Sequence, residues 1–283
     1  ALERVPKQWR RKATGGIMCG GGIGALLGAI AIGSYSPTSA STAWNIVAAL
    51  TIALSLPMFR LLNGAMQPKN NDIELTTNTI QNSEKANERQ YTSRPTKLLI
   101  PIIIMGFALM QVGQVPAILY EPIVAINRIG LTPKLSSSID SLFGIGLVIG
   151  GLTPTIAPSK LKTKVFLPMI ALVGLTGVVL FGIASNLAIL SLSIFLIGVW
   201  DMMTGTLTLD RLGELCNEDA QRRFWATATS IGALGFIGFS TATSHLSRHH
   251  IDLILTLGIA VVAIQVALEW IQCVIPSNQS IKP

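Results

Sequence analysis

Apolar runs of about 20 residues, laid nearly end to end, dominate this chain and limit what it can fold into. They fall near residues 13–35, 43–62, 98–120, 139–157, 166–185, 187–209, 224–244 and 252–275. A helix needs about 20 predominantly apolar residues to cross the hydrocarbon core of a bilayer. Within lipid the backbone must satisfy its own N–H and C=O groups, which a helix does. A buried core in a soluble protein explains one or two such runs, not eight in series. Charged residues are only 12% of the chain, against about a quarter in soluble domains. These features predict an all-α polytopic membrane protein with about eight transmembrane helices and the lipid bilayer as its first partner.

A net charge of +7 raises the question of nucleic acid, but the distribution of the charge excludes it. If residues 1–12 are cytoplasmic and the helices alternate, all 21 lysines and arginines fall on the inside except Arg128, Lys134 and Arg248. That is the positive-inside bias of a membrane protein. It predicts both termini of this chain on the cytoplasmic side, in a plasma (inner) membrane. Trp9, Trp44, Trp225 and Trp270 lie at or near helix ends, where indoles favour the membrane–water boundary; only Trp200 lies deep.

No cofactor, metal or enzyme signature emerges. Cys19, Cys216 and Cys273 are scattered without ligand spacing or a disulfide framework. His245, His249 and His250 cluster in an outside loop with only Asp252 near, which reads as solvated histidine rather than a metal site.

The organisation is asymmetric. Two spans are followed by a polar stretch, "QPKNNDIELTTNTIQNSEKANERQYTSRPTK", too polar to bury a core. Six spans then follow with short connections. The sequence begins at Ala1 in a basic, loop-like stretch, and four further helices in front would make it symmetric, six plus six around a cytoplasmic linker.

This layout resembles the major facilitator superfamily of secondary transporters from the end of the fourth helix onward. The segment "SLFGIGLVIGGLTPTIAPSKLKTK" looks like the glycine-rich eighth helix and the basic loop after it, with Lys160, Lys162 and Lys164 supplying the cations. Ser159 stands where the family has an acid, and Thr155 where it has a glycine. The lysines therefore form either a cytoplasmic gating loop or simple anchors at the inner surface. "CNEDAQRRFWATATSIGALGFIGFS" resembles the entry into the eleventh helix, with Gly232, Gly235 and Gly238 on it. Gly16, Gly20, Gly24 and Gly28 recur every four residues on one face of the first span, spacing that permits close helix packing. The resemblance implies a major-facilitator-like bundle lacking its first four helices. Residues 1–66 would be the last two helices of the N-terminal bundle, 67–97 a cytoplasmic linker and 98–283 the six-helix C-terminal bundle. It also implies secondary transport of a small organic or drug-like solute by alternating access, with protons as the candidate coupling ion. A non-transporting scaffold, an assembly protein or a degenerate transporter is the rival reading, and the lost acid at Ser159 favours it.

Several polar residues within the spans are candidates for the chemistry. An acid at a helix centre costs about 2.5–3.5 kcal/mol on insertion scales, so such acids usually face a bundle interior or a wet cavity. Asp201 in "GVWDMMTG" is one, and it either serves a substrate or proton pathway or is braced by Thr204 or a neighbouring helix. Trp200 beside it is an aromatic wall or plain packing, because adjacent helical residues point about 100° apart. Gln111 and Gln114 share one face of the third span, as a wet stripe or as hydrogen-bonding glue between helices. Pro101 and Pro116 are placed to bend that span.

Overall fold

The computed structural model describes residues 94–156, 163–216, 218–244 and 250–275. The first two spans, the Gly16–Gly20–Gly24–Gly28 stripe and most of the polar stretch therefore lie outside the described residues. The helices are α1 (Arg94–Gly113), α2 (Val115–Ile123), a π turn (Val124–Arg128), α3 (Pro133–Ile156), α4 (Thr163–Gly182), α5 (Leu187–Leu215), α6 (Glu218–Ser244) and α7 (Ile251–Val274). There is no strand among the described residues. Six of the expected spans fall on these helices.

α1, α2 and the π turn form one span interrupted at Gln114. Pro116 has no N–H to donate back to Val112, and its ring crowds the preceding turn. Flanking bonds survive, Gln114 N–H to the Met110 carbonyl at 3.2 Å and Ile118 N–H to the Gln114 carbonyl at 3.1 Å. The axis is thus offset rather than cut. A second proline, Pro122, precedes the π turn, and Gly130 at φ +79° ends the segment in the left-handed region that only glycine enters freely.

Packing on one side of the bundle is close enough to exclude side chains. A Cβ on Gly146 of α3 would strike the Phe195 carbonyl oxygen of α5, and one on Gly198 of α5 would strike the Phe143 carbonyl oxygen of α3. In lipid, where no hydrophobic force joins helices, such backbone approach supplies the dispersion contact. Opposite α3, Gly174 of α4 lies under the Trp200 indole ring. α7 packs antiparallel to α1 and α2: Glu269 lies against Gly106, Val262 against Gly113, and Gly258 against Pro116. Gly232 and Gly235 of α6 meet Gln111 and Val112, whereas Gly238 meets no described atom.

Four spans among the described residues are long and apolar enough to cross a membrane: 98–128, 165–182, 187–215 and 251–274. The apolar part of α3 is shorter, Ser138–Pro154. α6 does not reach that apolarity although it has 27 residues. Its first two turns are charged, and hydroxyls recur along it at Thr227, Thr229, Ser230, Ser240, Thr241 and Thr243. A helix of that composition suits a position beside a wet interior better than one wholly in lipid. Leu234 is 70% exposed, and Ile183, Ile237 and Val274 are also bare, a surface that lipid can cover and water cannot.

Candidate functional site

The site is assembled where α1 is interrupted. Gln114 has helical dihedrals at the junction and is buried, with its side chain directed back along its own face. Its Nε2 donates to Gln111 Oε1 at 3.2 Å, as the spacing of three predicts. The same amide also hydrogen-bonds to the half-buried Asp201 on α5. An amide nitrogen has two N–H donors, so one group joins the two helices into a Gln111–Gln114–Asp201 chain. Gln114 Oε1 has no partner among the described residues.

Gln111 opens onto a cavity of about 300 Å³ between α1 and α6, lined also by Phe107, Thr229, Ala233, Phe236 and Ile237. The Phe107 and Trp225 rings meet at 4.7 Å, tilted by 47°. Gly205, one turn beyond Asp201, stands beside this aromatic pair: a Cβ there would lie 3.8 Å from Phe107 and 3.9 Å from Trp225. The lining is mainly apolar with one amide and one hydroxyl, the usual composition of a small-molecule site.

The remaining candidates are placed elsewhere. Trp200 is fully buried, packed on Gly174 with its far edge near Gly113, and it is part of the helix core rather than the cavity lining. Thr204 is buried and its hydroxyl has no partner among the described residues, so it does not brace Asp201. Lys160 and Lys162 lie outside the described residues, and Lys164 is the second residue of α4.

The structure adds polar contacts that spacing alone did not reveal. Where α4 begins and α5 ends, Thr163 of α4 donates to Asp210 at 2.7 Å and to Glu214 at 3.4 Å, while Arg211 pairs with Glu214 at 2.5 Å. The signal was present as "TLDRLGEL", but its partner on α4 is 47 residues away. At the opposite end of the bundle, Arg128 donates to the Gly182 carbonyl at 2.7 Å and pairs with Asp252 at 3.1 Å. Glu121 is buried and accepts from Ser136 at 3.2 Å. Cys216 is no poised nucleophile: burial pushes its thiol up to about 11, and it donates to the Leu212 carbonyl at 2.9 Å. Among the described residues no three His, Cys, Asp or Glu side chains are grouped to hold a metal ion.

Comparison with known proteins agrees with the architecture. The family model described as Major Facilitator Superfamily matches residues 1–240. Comparison with curated proteins returned no match. An all-helical bundle with membrane-length apolar helices, a polar site beside an interrupted helix and a family match over most of its length lead to one conclusion: this chain belongs to the major facilitator superfamily, integral membrane transporters of small molecules.

Proposed function

We propose that the chain moves a small organic solute with an apolar or aromatic body and a polar or cationic head. The head would be held by the Gln111–Gln114–Asp201 chain and the body by Phe107, Phe236 and Ile237. The observation that carries this reading is the amide linkage between the interruption of α1 and an intramembrane carboxylate, beside a cavity of about 300 Å³. Interrupted helices at substrate sites are a recurring device in transporters, since they free backbone and side-chain polar groups at mid-membrane depth.

In this reading Asp201 carries the coupling proton. A proton-coupled cycle needs a group whose charge differs between the two facing conformations, and a carboxylate joined to only one amide can gain or lose its proton as the cavity wets and dries. Two bundles rocking about the site would supply alternating access. The linker and the inner helix ends would face the cytoplasm of a plasma (inner) membrane, as the distribution of lysine and arginine suggests.

The test is flux in proteoliposomes under an imposed proton gradient, using a fluorescent organic cation such as ethidium as the probe. Asp201→Asn should abolish gradient-driven flux while the amount of folded protein holds. Flux equal to that of the parent protein would remove the proton-carrier role. Flux absent from both, in well-folded protein, would favour a scaffold or degenerate transporter for this class of probe.

A further inference from the structure

A second polar site lies on α7, away from the proposed solute cavity. Gln265, Glu269 and Gln272 occupy positions i, i+4 and i+7 of this helix, so they share one face. All three are buried, at 0%, 1% and 1% exposure. Glu269 Oε1 lies against Gly106 of α1, where a Cβ would come within 2.6 Å of it. Gln272 Nε2 donates to Glu269 Oε2 at 2.6 Å. The antiparallel register places Gln265 at the level of Met110, a buried thioether with little to offer an amide.

Among the described residues the site has more orphaned oxygen acceptors than donors, and no cation is paired with Glu269. Gln272 Oε1 and both side-chain heteroatoms of Gln265 have no hydrogen-bond partner among the described residues. α1 carries no charged residue between Leu98 and Gly113, and α4 carries none between Val165 and Gly182. These are the two helices that pack most closely on α7. On α5, which packs on α1, the buried Arg211 pairs through Nη1 with Glu214, while its Nε and Nη2 have no partner among the described residues and no contact joins it to Glu269. Asp252, the other acid of α7, is at the opposite end of the helix and pairs with Arg128. Intramembrane acids are normally paired with a cation or with donors, and this one has a single amide.

We propose that Glu269, together with the side-chain oxygens of Gln265 and Gln272, holds a monovalent inorganic cation of the sodium class between α1 and α7. One carboxylate balances one positive charge, whereas calcium sites take six to eight oxygens, usually from several carboxylates. A proton on Glu269 would supply one donor and leave an amide oxygen orphaned, whereas a cation can bind carboxylate and amide oxygens together. Carboxylate and amide oxygens are hard ligands that suit such an ion. Gln272 and the exposed Trp270 lie near the end of α7 that the charge bias assigns to the cytoplasm, so the polar face leads from that surface toward Gln265.

The test uses the full chain in lipid nanodiscs, titrated with sodium chloride against choline chloride at constant ionic strength. Binding of radioactive sodium and thermal unfolding are followed together, because an ion that binds only the folded state raises its stability in a saturable way. Saturable binding is expected in the parent protein and in Asp201→Asn, which separates this site from the solute site. Glu269→Gln should abolish binding, and Gln265→Leu should weaken it about tenfold or more. If sodium and choline curves coincide in the parent protein, the site holds a proton or water and the proposal fails. That titration needs no variant, so it decides the matter even if Glu269→Gln does not fold. Parent-like sodium binding in folded Glu269→Gln would overturn it equally.

Discussion

The two sides of α5 differ in how they are built. Toward α3 and α4 the contacts are backbone against backbone and indole against glycine, with Gly146, Gly198 and Gly174 leaving no room for a methyl group. Toward α1 and α6 the same helix presents Asp201 and Gly205, a polar side chain half-buried and a glycine with ordinary space around it. On the proposed reading, one side supplies stability and the other the solute site. A solute-binding face gains from being held by a scaffold that does not yield, since placement of polar groups within a fraction of an ångström depends on their support.

The strongest challenge to this division is Trp200→Ala. Removing a fully buried indole typically costs about 3–5 kcal/mol, and here it would strip the contact with Gly174 while leaving the Gln111–Gln114–Asp201 chain in place. The expected result is a large drop in thermal midpoint in nanodiscs. An unchanged midpoint with altered solute preference would place the indole on the working side.

A smaller loss is expected for Gly146→Ala, because the methyl meets backbone atoms that cannot rotate away. Overpacking of this kind costs about 1–3 kcal/mol. Gly205→Ala is its matched control: its nearest neighbours would lie at 3.8 and 3.9 Å, ordinary van der Waals contact. Its midpoint should stay within about 0.5 kcal/mol of the parent protein, like other substitutions that create no clash. Equal losses at the two glycines would erase the contrast between the sides.

Sequence periodicity made much of this fold legible, because a span announces itself through local composition. The helices from 94 onward arise where the apolar runs predict them, and the glutamine pair is a local fact of spacing. What stayed hidden was rotation and partnership. Trp200 and Asp201 are adjacent, and sequence tells only that they point apart; that Trp200 packs on Gly174 and Asp201 meets Gln114, and that neither lines the cavity, depends on where α1 and α4 pack. Gln114 and Asp201 are 87 positions apart in the chain, so their contact has no local signature. Thr163 and Asp210 are joined for the same reason only in three dimensions. The buried polar face of α7 had no local signature either: the joint burial of Glu269 and Gln272 follows from the close approach allowed by Gly106.

On the working side, Gln111→Leu should separate binding from folding. Its aliphatic part already touches Gly232 while its amide serves the cavity and Gln114. Leucine keeps the bulk and removes the hydrogen bond. A loss of about tenfold in apparent solute affinity is expected, equivalent to about 1.4 kcal/mol, with little change in thermal midpoint. The measurement is concentration-dependent flux together with unfolding on the same preparation. A fall in stability matching the fall in affinity would make the amide glue rather than a ligand.

The smallest effect should come from the Arg128 tether, which belongs to neither side of α5 and joins the π turn after α2 to α4 and α7. Arg128 and Asp252 are 40% and 86% exposed, so water and salt screen their 3.1 Å contact. Exposed pairs of this kind are usually worth about 0.2–1 kcal/mol. Asp252 also lies in the first turn of α7, where a negative charge complements the helix dipole by about 0.3–1 kcal/mol at low ionic strength. Asp252→Asn should therefore lower the thermal midpoint slightly at low salt and by a vanishing amount at high salt. Arg128→Gln loses in addition the 2.7 Å bond to the Gly182 carbonyl, which does not depend on a carboxylate. It should retain a residual deficit at high salt. Identical salt dependence for the two variants would mean that the ion pair alone holds this corner, and that the Gly182 carbonyl contributes nothing to it.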